Sequence, residues 1–119
     1  MAAEWIVYKG KKIFSINLKG LKAPEILKVQ EDAAKLLGQS PAKALILMNS
    51  EGAMMNSQTM QRAQALGRDI IEPRTERFAI VGVTGFLMVF MQTYNRFTGA
   101  GSKQRLFNTE AEAKEWLVS

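Results

Sequence analysis

The chain has 119 residues, 47% of them apolar and 23% charged, with sixteen Lys and Arg against eleven Asp and Glu for a net charge of +5. It holds neither cysteine nor histidine, which excludes disulfides, thiolate zinc sites, a cysteine nucleophile and a Ser-His-Asp triad, and removes the commonest general base and metal ligand. A chain of this length fits a single domain, residues 1–119, able to bury a core without covalent staples.

A basic domain raises nucleic acid as a partner. Here the cations are spread from Lys9 to Arg105 with acids interleaved, the pattern of a solvated basic surface, and no nucleic-acid partner is expected. Met1-Ala2-Ala3-Glu4-Trp5 lacks the basic and apolar regions of a secretory signal. The apolar run Phe78 to Met91 is interrupted by Gly82, Thr84 and Gly85 and falls short of the about 20 residues a bilayer span needs. These features predict a cytoplasmic protein without a membrane span.

Trp5 to Tyr8 reads as a first strand, followed by a turn at Gly10. Phe14, Ile16 and Leu18 then share one face at period two, with Ser15, Asn17 and Lys19 on the other, so a half-buried strand completes a hairpin. From Pro24 to Leu37 the period becomes helical, with Ile26, Val29, Ala33 and Leu37 on one stripe. Pro24 suits the first turn and Gly38 the stop. Ala44 to Met48 is a continuous apolar run, as in strands covered on both faces.

The loop from Asn49 to Asn56 leads into a second helix, with Met60, Ala63, Leu66, Gly67 and Ile70 on its apolar side and Pro73 as its end. Arg77 to Val83 reads as another buried strand, and Leu87, Phe90, Met91, Tyr94 and Phe97 as a third helical stripe. Gly99-Ala100-Gly101-Ser102-Lys103 lacks the spacing of a phosphate loop and leads to a strand instead of a helix, so it reads as a flexible turn. Leu106-Phe107 centre the last strand. Thr109 and Glu112 form a capping box for a helix with Ala113, Trp116 and Leu117 on its apolar side. The predicted order is β-β-α-β-α-β-α-β-α, an α/β domain with a mixed four- to five-stranded sheet and about four helices.

This order and three stretches resemble the STAS domain family, which includes the anti-sigma-factor antagonists of bacteria and has the SpoIIAA-like fold. Leu45 to Ser57 has that family's rhythm of strand, loop and helix start; Ile80-Val81-Gly82-Val83 is similar to its late strand; Arg105 to Leu117 is similar to its closing strand and helix. The resemblance implies a regulatory protein-binding module, places Ser57 where the family carries its regulatory phosphoserine, and implies a serine kinase of the anti-sigma type as a partner. Asn56 stands where the family usually has Asp.

From the residues alone, Ser57 is a helix cap, and the same position suits a phosphate, because an anion there meets free amides and the helix dipole. Met54 and Met55 form a docking patch if exposed and core if not. The expected partner surface comprises Met54, Met55, Asn56, Ser57, Gln58 and Gln61. The eleven acids show no motif-like cluster, so no catalytic residue, metal ligand or cofactor is expected. The alternative function is the binding of a small apolar ligand or lipid beneath the helix carrying Phe86, Phe90, Tyr94 and Phe97. A homo-oligomer is compatible with either reading.

Overall fold

The computed structural model describes residues 2–40, 42–83 and 103–119. Strands β1 (Ala3–Tyr8) and β2 (Lys11–Asn17) form the expected hairpin, antiparallel, with Tyr8 opposite Lys11. The two residues between them, Lys9 and Gly10, both have positive φ, 50° and 78°. Two such residues give the turn whose twist matches that of the flanking strands, and glycine takes the second position without a Cβ clash.

Helix α1 (Ala23–Gly38) starts where Pro24 allows it and opens with the Glu25 carboxylate accepting the Lys22 backbone N–H at 3.2 Å. Its buried side chains, Ile26, Val29, Ala33, Ala34 and Leu37, are the predicted stripe. Strand β3 (Ala44–Asn49) follows, then helix α2 (Ser57–Leu66). The second helix was expected to run to Pro73, and it does not. Regular turns stop at Leu66, and the chain continues through one π turn, Gly67–Ile71, and one 3-10 turn, Glu72–Arg74. Gly67 is buried there, and Pro73, which has no N–H to donate, sits in the tighter final turn.

Strand β4 (Thr75–Val81), strand β5 (Gln104–Phe107) and helix α3 (Glu110–Val118) complete the described chain. The five strands lie in the order β1-β2-β3-β4-β5, parallel from β2 to β5. The helical stripe expected at Leu87 to Phe97 lies outside the described residues.

The sheet is covered on both sides. On one, Phe14, Ile16, Ile46, Phe78 and Ile80 pack with α1 and with Met60 and Ala63 of α2. On the other, Ile13, Leu47, Ala79 and Val81 pack with Ala113 and Leu117 of α3. Strand β2 therefore departs from the half-buried pattern expected of it: Ile13 is fully buried on the face assigned to polar residues, because α3 returns from the far end of the chain to cover it.

Helix α3 is tied down at both ends. Thr109 caps it, accepting the Glu112 N–H at 3.2 Å. The expected capping box is only half formed: the Thr109 hydroxyl itself donates to the Glu112 carboxylate at 3.1 Å, instead of that carboxylate turning to the backbone. At the other end Arg77 of β4 donates to the Trp116 carbonyl at 2.7 Å and lies 5.4 Å from the centre of the Trp116 ring. A cation over the last carbonyls of a helix satisfies orphan acceptors and opposes the negative dipole end. Arg77→Ala should therefore lose roughly 1–3 kcal/mol in chemical denaturation, with Arg77→Lys recovering little, since a point charge cannot both stack and donate as the planar fork does.

Candidate functional site

Three loops meet at the C-terminal ends of the parallel strands. The loop after β3 is held on one side by the turn after β2: Leu18 N–H donates to the Asn49 carbonyl at 2.8 Å, Gly20 N–H to Glu51 at 2.9 Å, and Met54 N–H to Leu21 at 2.9 Å. On the other side Ser50 N–H donates to the Val81 carbonyl at 2.8 Å. Asn49, buried at the end of β3, serves both directions. Its Oδ1 accepts the Glu51 N–H at 2.9 Å, and its Nδ2 donates to Glu110 of α3 at 2.7 Å. Buried backbone groups need partners, and this loop finds them in the neighbouring loops.

Gly82 sets the closest approach. Its φ is +83°, and a Cβ built there would lie 2.6 Å from the Glu51 nitrogen. Only glycine fits both the conformation and the gap.

Beyond the pinned segment the chain enters α2 through a reciprocal cap. Asn56 Oδ1 accepts the Thr59 N–H at 2.9 Å, Thr59 Oγ1 accepts the Asn56 N–H at 2.8 Å, and the Thr59 hydroxyl donates to the Asn56 carbonyl at 2.9 Å. The cap is therefore Asn56 and not Ser57, which is the first residue inside the helix. The physical reason is the buried Thr59 three residues beyond Asn56, which answers that residue and leaves nothing for Ser57 to cap. The Ser57 side chain is exposed, and its hydroxyl makes no hydrogen bond among the described residues. The signal that could have found this is Asn-x-x-Thr, with the strongest cap former in first place.

Of the six residues expected to form the partner surface, five are exposed: Met54, Asn56, Ser57, Gln58 and Gln61. Ser57 and Gln61 are four apart and share a helix face. Met54 is 62% exposed, high for a large apolar side chain. Met55 does not join them; it is half-buried and packs on the core beside Ala53 and Met60.

Helix α2 has no acidic residue in its first turn, so the helix itself supplies no negative charge to its positive dipole end at Ser57. Further along, Arg62 grips Glu31 of α1 through two nitrogens, at 2.5 and 3.0 Å. The Arg62 guanidinium holds the Glu31 carboxyl below the usual carboxylate range. Both groups are well exposed, so the pair orients α2 against α1 more than it stabilises the fold.

No protein-family model matches the chain, and no curated protein matches it. Among solved structures, one from Shewanella loihica PV-4, described as an uncharacterized protein of the DUF3478 family with a SpoIIAA-like fold, matches with a TM-score of 0.70. This chain has a SpoIIAA-like fold. The match covers 98% of this chain and 92% of the Shewanella protein at 14% sequence identity, so the likeness is one of backbone and not of site residues. In the SpoIIAA-like frame the pinned loop and the start of α2 occupy the carboxyl edge of the parallel strands, where open α/β sheets place their sites.

Among the described residues no three acidic side chains gather as a metal site, and no helix is long and apolar enough to cross a membrane. The apolar pocket considered beneath Phe86, Phe90, Tyr94 and Phe97 lies outside the described residues.

Two pairs of substitutions separate scaffold from surface. Gly82→Ala must displace the Glu51 backbone and adopt a left-handed conformation, so it should cost upwards of about 1–3 kcal/mol; Gly38→Ala, with open space around it, should be neutral or stabilising by up to about 1 kcal/mol. Likewise Asn56→Ala should lose about 1 kcal/mol in thermal or urea melts, whereas Ser57→Ala should change stability by less than about 0.5 kcal/mol. Equal losses at positions 56 and 57 would return the capping role to the serine.

Proposed function

We propose that this chain is a non-catalytic regulatory module of the cytoplasm that binds a protein partner through the surface made by Met54 and the outer face of α2, with Ser57 as the residue whose phosphorylation releases that partner. One observation carries the reading. An exposed apolar side chain, Met54, and an exposed hydroxyl free of any capping role, Ser57, lie three residues apart at the rim of a loop that two neighbouring loops hold rigid. Rigid placement limits the ordering cost of association, and a flexible thioether adapts to the partner's relief.

The resemblance to anti-sigma-factor antagonists supports a serine kinase of the anti-sigma type as that partner, with bacterial regulation as the setting. The chemistry is consistent with a switch. A phosphate on Ser57 would meet unmatched helix-start amides, an interaction of about 0.3–1 kcal/mol at an exposed site, so the fold tolerates it. The docked partner would not, since nearly two negative charges would enter a contact formed with a neutral hydroxyl and a methionine.

A photo-crosslinking residue placed at Gln61 in the source cells provides the test. A discrete adduct with one protein should form, and it should be lost in Met54→Glu and in Ser57→Asp while both variants melt within about 2 °C of the parent, the scale of a small surface change. An adduct indifferent to both substitutions would sink the docking surface. Loss with Met54→Glu alone would leave the surface and remove the switch.

A further inference from the structure

At the opposite end of the sheet from Ser57, the β1-β2 hairpin runs past the start of β3. Ile13 pairs with Leu45, so Lys12 falls beside Ala44 and Lys11 beside Lys43 at one edge of the sheet, where the C-terminal end of α1 turns away and Lys12 and Lys43 line one groove. This open groove has a volume of about 730 Å³, within the range of small-molecule sites. Trp5 and Leu36 supply apolar lining, and Lys11, Lys12 and Lys43 face a single acid, Glu76.

Three features of this groove ask for an explanation that folding does not provide. Trp5 is 40% exposed, and the Phe14 ring lies 5.0 Å from it at 58°. The indole is thus braced by one neighbour and still open to solvent. Lys12 and Lys43 have no ion-pair partner among the described residues; Lys11 differs, since its Nζ reaches the Val118 carbonyl at 3.3 Å. Three lysines against the single acid Glu76 leave this edge with an excess of positive charge, which an anion would offset. The excess of cations is local, because the acids Glu31, Glu72 and Glu115 are engaged elsewhere by Arg62, Lys103 and Lys9.

We propose that this groove is a binding site for a small aromatic anion, whose ring stacks on Trp5 and whose carboxylate or equivalent acidic group is held between Lys12 and Lys43. The ring contact supplies apolar burial and offset stacking. The two ammonium groups supply charge-assisted hydrogen bonds. Both lysines are exposed, so binding is salt-sensitive. The site is independent of the docking surface at Ser57, which lies at the other ends of the strands.

The protein's two tryptophans make the test direct. Trp116 lies on the other side of the sheet from the groove, with Arg77 and Arg105 over its ring at 5.4 and 5.3 Å, so its indole N–H is an internal reference for that of Trp5. In two-dimensional NMR, 2-naphthoate should shift the Trp5 indole signal saturably and leave that of Trp116 in place. The neutral isostere 2-naphthamide should bind more weakly by about five-fold or more, as expected for the loss of two exposed charge contacts. Lys12→Gln with Lys43→Gln should lose the same factor for 2-naphthoate, with no change for 2-naphthamide and no change in melting temperature. Lys19→Gln with Lys22→Gln, the same charge change on exposed residues outside the groove lining, should bind as the parent does. No shift at Trp5 up to millimolar naphthoate, equal affinity for acid and amide, or an unaffected lysine double variant would each overturn the site. A response to an acidic peptide but not to naphthoate would overturn it too, in favour of a protein contact.

Discussion

Ile46 and Leu47 are neighbours in the chain, 0% and 2% exposed, and they point to opposite sides of the sheet. A strand can bury two consecutive residues only when both of its faces are covered and both of its edges are paired. Strand β3 meets all of these demands: β2 and β4 pair with it, α1 and α2 lie on one side and α3 on the other. Burying each such side chain is worth about 1.5–3 kcal/mol. The layers cannot separate without exposing this strand.

That central strand also determines where the candidate site is placed. Because β3 is parallel to both neighbours, its carboxyl end opens beside theirs, and the segment leaving it must find hydrogen-bond partners in the loops on either side. Leu18, Gly20, Leu21 and Val81 supply them, and Gly82 admits the Glu51 backbone at a distance that any side chain would prevent. A loop held at so many points presents the start of α2 in one orientation. The residues that hold it, Asn49 and Thr59 above all, are buried; those that it presents, Met54 and Ser57, are not.

The amino and carboxyl edges of the strands differ in chemistry. The carboxyl edge carries an exposed methionine, an exposed hydroxyl and a helix start with no acid in its first turn, which together suit a protein surface and an added phosphate. The amino edge carries an indole and lysines lining one groove, which suits a flat anion. The sheet separates the two, and its packed interior offers a rigid connection between them, without itself providing the two alternative arrangements that coupling would need.

The sequence by itself determined the order of the described elements and the α/β class. Those rest on local periods of two and 3.6 and on local stops such as Pro24 and Gly38, which neighbours along the chain decide; the SpoIIAA-like resemblance rested on short stretches such as Leu45 to Ser57 and Arg105 to Leu117. The sequence also determined that cysteine and histidine chemistry is absent, since composition needs no fold. What it left undecided was everything set by contacts distant in the chain. Ile13 reads as lying on a polar face until α3, about a hundred residues later, covers it. Met54 and Met55 are adjacent and chemically identical, and only the packing of their loop against the core turns one outward and the other in. Ser57 and Asn56 are both good caps by type, and the buried Thr59 chooses between them. Lys12 and Lys43 line one groove only because β2 and β3 lie side by side in the sheet. Local preference is read from neighbours in sequence, whereas exposure, cap choice and charge juxtaposition depend on which surfaces the tertiary structure brings together, and no local period encodes them.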